Sequence, residues 1–350
     1  MEKILISGAG IAGLSAAAAL SQAGIPFRII ERNESFEQRG YAMTVQGEGL
    51  TAAEELGIIG KIRDSGVKRV IERIEDCQGE SISERSPDSS KEGYTIARND
   101  LHRLLMDMVT EVEFGNSITE IRTVENRKEV LFSDGSMEVF DLVVAADGIN
   151  SALRSMINST PCVFDTGLSV WNVRVKDYFP AVIEVWDKKK IAALYPLPGE
   201  LSVSFFVKKS FKQISESGNR KEDILLHFKD CTNTTLKRVL EKCGDEIFFG
   251  SVRNVITPVW YKDGILLIGD AAHGISPLSG MGANLAMADA VTLGKVLSNE
   301  DLNMESFVQY RKKEAYKAFK TGEKRKRRAL RKAPLSVLRD RRIKFKPWIY

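Results

Sequence analysis

Lys3-Ile4-Leu5-Ile6-Ser7, running into Gly8-Ala9-Gly10-Ile11-Ala12-Gly13, is the stretch that decides the fold. The first five residues read as a short apolar strand. The alanine-rich run after the glycines reads as a helix through about Ala23, and Gly24 ends it. Residues 26–31 (PFRIIE) read as a second strand, parallel to the first by the right-handed crossover rule. In such a βαβ unit each glycine has a use. Gly8 allows the tight turn, Gly10 lets backbone approach a pyrophosphate resting on the helix start, and Gly13 lets helix and strand pack closely. Ile11 and Ala12 belong to the same binding turn. Glu31, closing the second strand, suits ribose hydroxyls and disfavours a 2′-phosphate; Arg32 follows it as a further binding candidate.

Two later stretches repeat the theme of a buried strand running into a polar turn. Asp141-Leu142-Val143-Val144-Ala145-Ala146-Asp147-Gly148 is apolar between its acids, as a strand covered on both faces would be, and Arg154 follows. The run Gly264 to Ile268 ends in Gly269-Asp270-Ala271-Ala272-His273, with Pro277 and Gly280-Met281-Gly282-Ala283-Asn284 beyond it. Gly280 to Asn284 opens a helix whose free N–H groups would stabilise negative charge on a ligand. His273 reads either as a general base or, with no acid near it in sequence, as a histidine bonding its own turn; the second is favoured.

Between these stretches the chain changes character. Residues 168–208 alternate aromatic and β-branched residues with turn signals, as an antiparallel sheet does, and residues 220–242 read as helical. The expected fold class is therefore α/β, a Rossmann-like nucleotide-binding domain with an interleaved β-rich substrate domain and a C-terminal helix. The expected division is residues 1–70, 96–167 and 248–303 for the first, 71–95 and 168–247 for the second, and a basic helical tail over 304–350.

Composition bounds the rest. The 350 residues are 43% hydrophobic and 28% charged, which is ordinary for a soluble globular chain. The longest small-apolar run, 8–20, is too short for a membrane span and lacks the features of a signal peptide, so a cytoplasmic protein is expected. Cys77, Cys162, Cys231 and Cys243 show no CxxC spacing and are expected to be free thiols; with three histidines, no metal site is expected. Charge is uneven: residues 311–350 hold 17 Lys and Arg against 3 Asp and Glu, while the remainder holds 34 against 44. The tail is a candidate for an anionic membrane surface, giving a peripheral location, or for an acidic protein partner. The alternative, which is favoured, is a helix docked on the acidic body with its other face solvated. No motif supports a nucleic-acid role.

Taken in order, the glycine turn with Glu31, Asp147-Gly148 and Gly269-Asp270 resemble the class A FAD-dependent aromatic monooxygenases of the p-hydroxybenzoate hydroxylase type. Arg98, opening Arg98-Asn99-Asp100-Leu101, matches that family's FAD-contacting arginine, and the same stretch is similar to the tetracycline-inactivating branch. The resemblance implies FAD bound by Gly8, Gly10, Gly13, Glu31, Arg98, Asp147, Gly148, Gly269 and Asp270, with Arg39 as a further contact. It implies that Gly280, Gly282, Ala283 and Asn284 face the flavin ring and that Pro277 shapes the loop against it. It also implies NADPH or NADH as a transient co-substrate and a flavin C4a-hydroperoxide, formed with O2, that hydroxylates an aromatic or polyketide-like small molecule. The chemistry is flavin-centred, so no catalytic side chain is assigned. Met43, Trp171, Arg174, Tyr195 and Phe206 are candidates for a largely apolar substrate pocket; the alternative, favoured for each aromatic, is a place in the sheet core, and Arg174 reads more often as part of a solvated face. Two other readings stay open: a reductase or dehydrogenase on the same fold, and a non-catalytic flavin-binding partner protein.

Overall fold

The computed structural model describes residues 3–36, 41–86, 92–209, 219–299, 301 and 303–330. Among these the strands assort into four sheets. β1 (Ile4–Ser7) and β2 (Phe27–Glu31) flank α1 (Ile11–Gln22) and pair in parallel, Ile6 opposite Ile29, as the sequence predicts. α1 is alanine-rich, so it loses little side-chain entropy and can lie flat on the sheet. It ends where Gly24 takes φ +68 and Ile25 N–H returns to Leu20 O at 3.0 Å. β12 (Leu142–Ala145) adds to the other side of β1, and β19 (Ile265–Leu267) adds to β12, both parallel. Short edge strands β18 (Tyr261–Lys262) and β8 (Glu113–Phe114) complete this sheet in the order β18-β19-β12-β1-β2-β8.

The chain divides at Asp141, just before β12. β11 (Met137–Phe140) leaves the parallel sheet and pairs with β10 (Arg127–Phe132), which pairs with β9 (Ile118–Val124). Periodicity cannot find that break because the strands on both sides of it carry apolar residues.

The α1 face of the parallel sheet is covered by α9 (Gly282–Ser298), and there Gly294 backs onto Ala19. A methyl at Gly294 would come within 3.2 Å of Ala19 Cβ, so the small pair sets how closely the two helices approach. The β-rich region is one seven-stranded sheet, in the order β17-β13-β16-β15-β14-β5-β6. Its strands are β5 (Glu72–Asp76), β6 (Ser81–Arg85), β13 (Val163–Val175), β14 (Val182–Asp187), β15 (Lys190–Leu197), β16 (Glu200–Val207) and β17 (Ile247–Val255). β17 belongs here, so the chain re-enters the parallel sheet only at β18, later than the expected boundary at 248.

Alternation gives this sheet two faces. Trp171, Val203, Phe205, Leu194 and Ile183 pack under α6 (Arg220–Phe228) and α7 (Thr234–Glu241). Val170, Phe206, Trp186 and Ile74 form a second apolar cluster with Leu278 and Ala329, and Tyr195 packs against it. Cys77 and Cys231 are joined in a disulfide on the first face, against the expectation of free thiols; Cys162 and Cys243 are free and buried. The two bonded residues are 154 apart in sequence, a proximity that spacing motifs do not register.

A three-stranded sheet of β3 (Ala42–Gln46), β7 (Gly93–Ala97) and β4 (Val67–Lys68) lies between the larger two. The C-terminal helix α10 (Met304–Ala329) buries Phe307, Arg311, Ala315, Ala318, Gly322 and Ala329. It docks on the body, as favoured for the tail, at least as far as Leu330, where the described residues end. Among the described residues no helix is long and apolar enough to cross a membrane.

Candidate cofactor site

A cavity of about 550 Å³ opens at the carboxyl ends of β1, β2, β12 and β19, where ligands of open α/β sheets bind. Gly8, Gly10, Ile11, Ala12, Glu31, Arg32, Arg98, Asp147, Gly148, Asp270, Gly282 and Ala283 all line it. Residues from four widely separated segments of the sequence thus meet at one place.

The glycine turn is built as its spacing predicts. Gly8 sits at φ +103, and a Cβ there would lie 2.6 Å from Ala146 O. A Cβ on Gly13 would overlap the Gly8 carbonyl oxygen, so Gly13 packs within the protein rather than lining the cavity. A Cβ on Gly10 meets nothing within 4 Å, so that backbone is open to a ligand. The first turns of α1 and α9 carry no acidic residue and no side-chain cap. Both leave N–H groups for an anion.

Glu31 does more than face a ribose. Its Oε2 accepts from Ala9 N–H and its Oε1 from Asn33 N–H, each at 3.0 Å, so it pins the glycine turn to the end of β2. The Ala9 carbonyl is held in turn by His102 Nε2 at 2.8 Å, on α4 (Arg98–Met106). Burial lowers the His102 pKa from its ordinary 6.5, so the ring is neutral at pH 7 and donates through Nε2. Phe36 meets it edge-on at 3.9 Å between ring centres. Sequence reasoning missed His102; its only signal was a place one turn beyond Arg98.

The two acidic turns are tied together by Arg154, on α5 (Ala152–Ile157). Its Nη1 donates to Ala271 O at 3.1 Å and its Nη2 to Ile149 O at 2.7 Å. Asp147 Oδ2 accepts from Ala152 N–H at 3.0 Å, while its buried Oδ1 has no partner among the described residues. Burial pushes the Asp147 carboxyl up. Asp270 opens the one-turn helix α8 (Asp270–His273) and faces the cavity. The protein around Asp270 likewise raises its carboxyl, against the charges of His273, Arg98 and Arg154.

His273 departs from its expected reading. Its Nε2 meets Asp289 Oδ2 at 2.6 Å, and Asp289 Oδ1 accepts from Arg311 Nε at 2.6 Å. Arg311 also donates to Glu48 Oε2 at 2.8 Å. The partner acid lies one helix downstream and the arginine on another helix, beyond the reach of a local sequence scan.

The remaining candidates separate. Gly269 packs against Ala12. The Asn284 side chain is fully buried and bonds Gln46 N–H, Thr44 O and Gly280 O, fastening α9 to β3. Pro277 is exposed and begins a 3₁₀ turn, Pro277–Ser279, whose other two residues are buried. Arg39 lies outside the described residues. Met43 lines the large cavity. A smaller cavity, lined by Thr44, Gln46, Arg69, Glu184, Tyr195 and Arg325 among others, sits between β3, the seven-stranded sheet and Gly280. Tyr195 is the one other substrate candidate that lines either of these two cavities. Trp171 is on the opposite face of the sheet, stacked with Phe249 at 4.8 Å, because its position in β13 has the wrong parity. Phe206 is core, and Arg174 pairs with Glu200 at 3.3 Å; neither lines either cavity. The smaller cavity is mixed rather than largely apolar: Ile74, Val182 and Leu278 line it beside charged groups, where Glu184 takes Arg325 and the Trp186 indole N–H, and Arg69 bonds Gln46.

Comparison with known proteins agrees with this geometry. The FAD binding domain profile matches residues 1–301. A flavin-dependent monooxygenase from an unknown prokaryotic organism is 28% identical over 88% of this chain and 84% of its own. The 3-amino-4-hydroxybenzoate 2-monooxygenase of Streptomyces cremeus is 28% identical over 83% of this chain and 77% of its own. The crystal structure of Klebsiella pneumoniae HpxO complexed with FAD and uric acid superposes with a TM-score of 0.84 at 22% identity, covering 99% of this chain and 93% of that one.

Proposed function

The chain belongs to the FAD-binding domain family and is an FAD-dependent monooxygenase, and we propose that its substrate is a compact aromatic ring carrying hydrogen-bonding groups. The residues present fit FAD. Two uncapped helix starts face one cavity, Gly10 is open to it, and Asp147, whose buried Oδ1 has no partner among the described residues, lines it. When bound, FAD supplies the redox chemistry, taking hydride from NAD(P)H and passing one atom of O2 to the substrate.

The protein's part is to hold and surround. Gly8, Gly10, Ile11 and Ala12 would carry the pyrophosphate on the start of α1, and Glu31, Arg32 and Arg98 would take the groups around it. Asp147 and Asp270 would accept from sugar-chain hydroxyls. Gly282 and Ala283 would present the start of α9 to the ring and stabilise negative charge there.

The observation that carries the substrate reading is a thin partition. β3 presents Met43 to the large cavity and Thr44 and Gln46 to the small one, and the loop that follows Pro277 presents Gly282 to one and Gly280 to the other. A substrate in the small cavity would sit beside the ring end of the cofactor. Its walls carry paired ions and amides, which favour a ring with donors and acceptors over a purely apolar polycycle. The bound uric acid of HpxO and the aminohydroxybenzoate in the name of the Streptomyces cremeus relative are rings of this kind. The test is NAD(P)H oxidation with a panel of hydroxylated and nitrogen-containing aromatics against apolar polycycles. Stimulation by the polar rings alone supports the reading, and stimulation by the apolar set alone overturns it.

A partner role for the basic tail, an anionic membrane surface or an acidic protein, rests on residues 323–332 and 339–350, of which those beyond 330 lie outside the described residues. Of the described basic residues in α10, Arg311, Arg325 and Lys326 are taken up by Asp289, Glu184 and Glu323. Deleting 321–350 should abolish binding to anionic liposomes at low salt, and equal binding by both forms would end the membrane proposal.

A further inference from the structure

Asp289, His273 and Arg311 are almost wholly buried, at 0%, 3% and 1% exposure, and none of them lines the cofactor cavity. Their surroundings are apolar: Leu285, Ala271, Ala272, Trp260 and Ala315 belong to one core cluster there. A buried ion cluster stabilises a fold no better than well-packed apolar side chains of the same volume. Its bonds therefore point to a second use.

Those bonds converge on the segments that face the cofactor. Asp289 Oδ2 accepts from Gly269 N–H at 2.9 Å and meets His273 Nε2 at 2.6 Å. It thus grips both ends of the single turn whose first residue, Asp270, faces the cavity. Asp289 Oδ1 holds Arg311, and Arg311 Nη2 donates to Leu285 O at 3.2 Å, in the first turn of α9 just after Gly282 and Ala283. The third contact, Arg311 Nη1 to Glu48 Oε2, reaches α2 (Glu48–Glu55), which follows β3. One carboxylate and one guanidinium thus fix the turn carrying Asp270, the start of α9 and the end of the partition strand relative to one another.

We propose that Asp289, acting through His273 and Arg311, is a positioning residue for the cofactor: it sets Asp270 and the start of α9 in the geometry that binds FAD. Asp289 itself touches no cofactor, and the role is independent of which substrate the enzyme takes. Arg311 lies beyond the residues matched by the family profile, so α10 contributes to the cofactor site from outside it.

The test compares D289N and R311K with the wild-type holoprotein. D289N keeps the shape and removes the charge; R311K keeps the charge and loses the fork that joins Asp289, Leu285 and Glu48. Two readouts are taken where far-UV circular dichroism shows each variant folded: flavin fluorescence recovered on dilution, which gives the FAD dissociation constant, and visible circular dichroism of the bound flavin. D289N should weaken FAD binding by about tenfold or more, the worth of one charge-assisted hydrogen bond. The flavin band should change shape, and R311K should fall between D289N and wild type. A lower melting temperature with a dissociation constant within about twofold of wild type and an unchanged flavin band overturns the proposal and makes the cluster a core staple. If D289N does not fold, R311K is judged on the same two readouts by the same criteria.

Discussion

A methyl group on Gly13 would overlap the Gly8 carbonyl oxygen, and that single steric fact links a sequence pattern to a binding site. Gly13→Ala should cost about 1–3 kcal/mol by overpacking, and because it displaces the glycine turn the purified protein should lose its yellow colour; a fully yellow variant would contradict this. At this scale the charge pair His273 and Asp289 gives stability a pH dependence. Burial works against the charged form of His273, but the Asp289 charge and hydrogen bond outweigh it and raise its pKa above 6.5. Its contribution is present in full below 6.5 and lost as pH rises through the raised value. Burial also works against the Asp289 carboxylate, yet His273 and Arg311 hold its pKa down to about 2, so its contribution is lost only as pH falls through that value. The melting temperature should therefore decline as pH rises from 6.5, and His273→Gln should flatten that slope. An unchanged slope in the variant would place its origin elsewhere.

At the scale of elements, Arg154 holds the turn after β12 against the turn after β19, so the two acidic motifs move as one piece. Arg154→Met leaves Ile149 O and Ala271 O without that donor and should cost about 3 kcal/mol in denaturant unfolding. A cost below about 1 kcal/mol would mean that the turns hold without it. The βαβ unit, the glycine turn and the two acidic turns were legible because each is written in consecutive residues: a strand, a turn, a helix start. Tyr195 as a cavity residue and Trp171 as core were not separable, since both lie in alternating strands and only register decides which face each takes. Asp289, Arg311, His102 and the Cys77–Cys231 bond escaped for a related reason. Each acts across the fold on a partner that no local spacing marks, and the sequence offers only a buried-looking polar residue on a helix.

At the scale of the whole molecule, the parallel sheet supplies the cofactor cavity, the seven-stranded sheet supplies a wall of the smaller cavity, and α10 packs against both regions. Gly322 of α10 backs onto Ser279 of the 3₁₀ turn, and Arg325 reaches Glu184 in the small cavity. Among the described residues, none later than Ala286 lines the cofactor cavity, so a chain ending at residue 330 should bind FAD as the full chain does. Loss of flavin from that form would show that the last residues contribute to the site. The central claim is that this fold couples NAD(P)H oxidation to insertion of oxygen into an aromatic ring. The most direct measurement supplies isotopically labelled dioxygen with NAD(P)H and a ring that stimulates its oxidation, and weighs the product by mass spectrometry. The account predicts a product heavier by one labelled oxygen atom; a product reduced or dehydrogenated with no label taken up would contradict it.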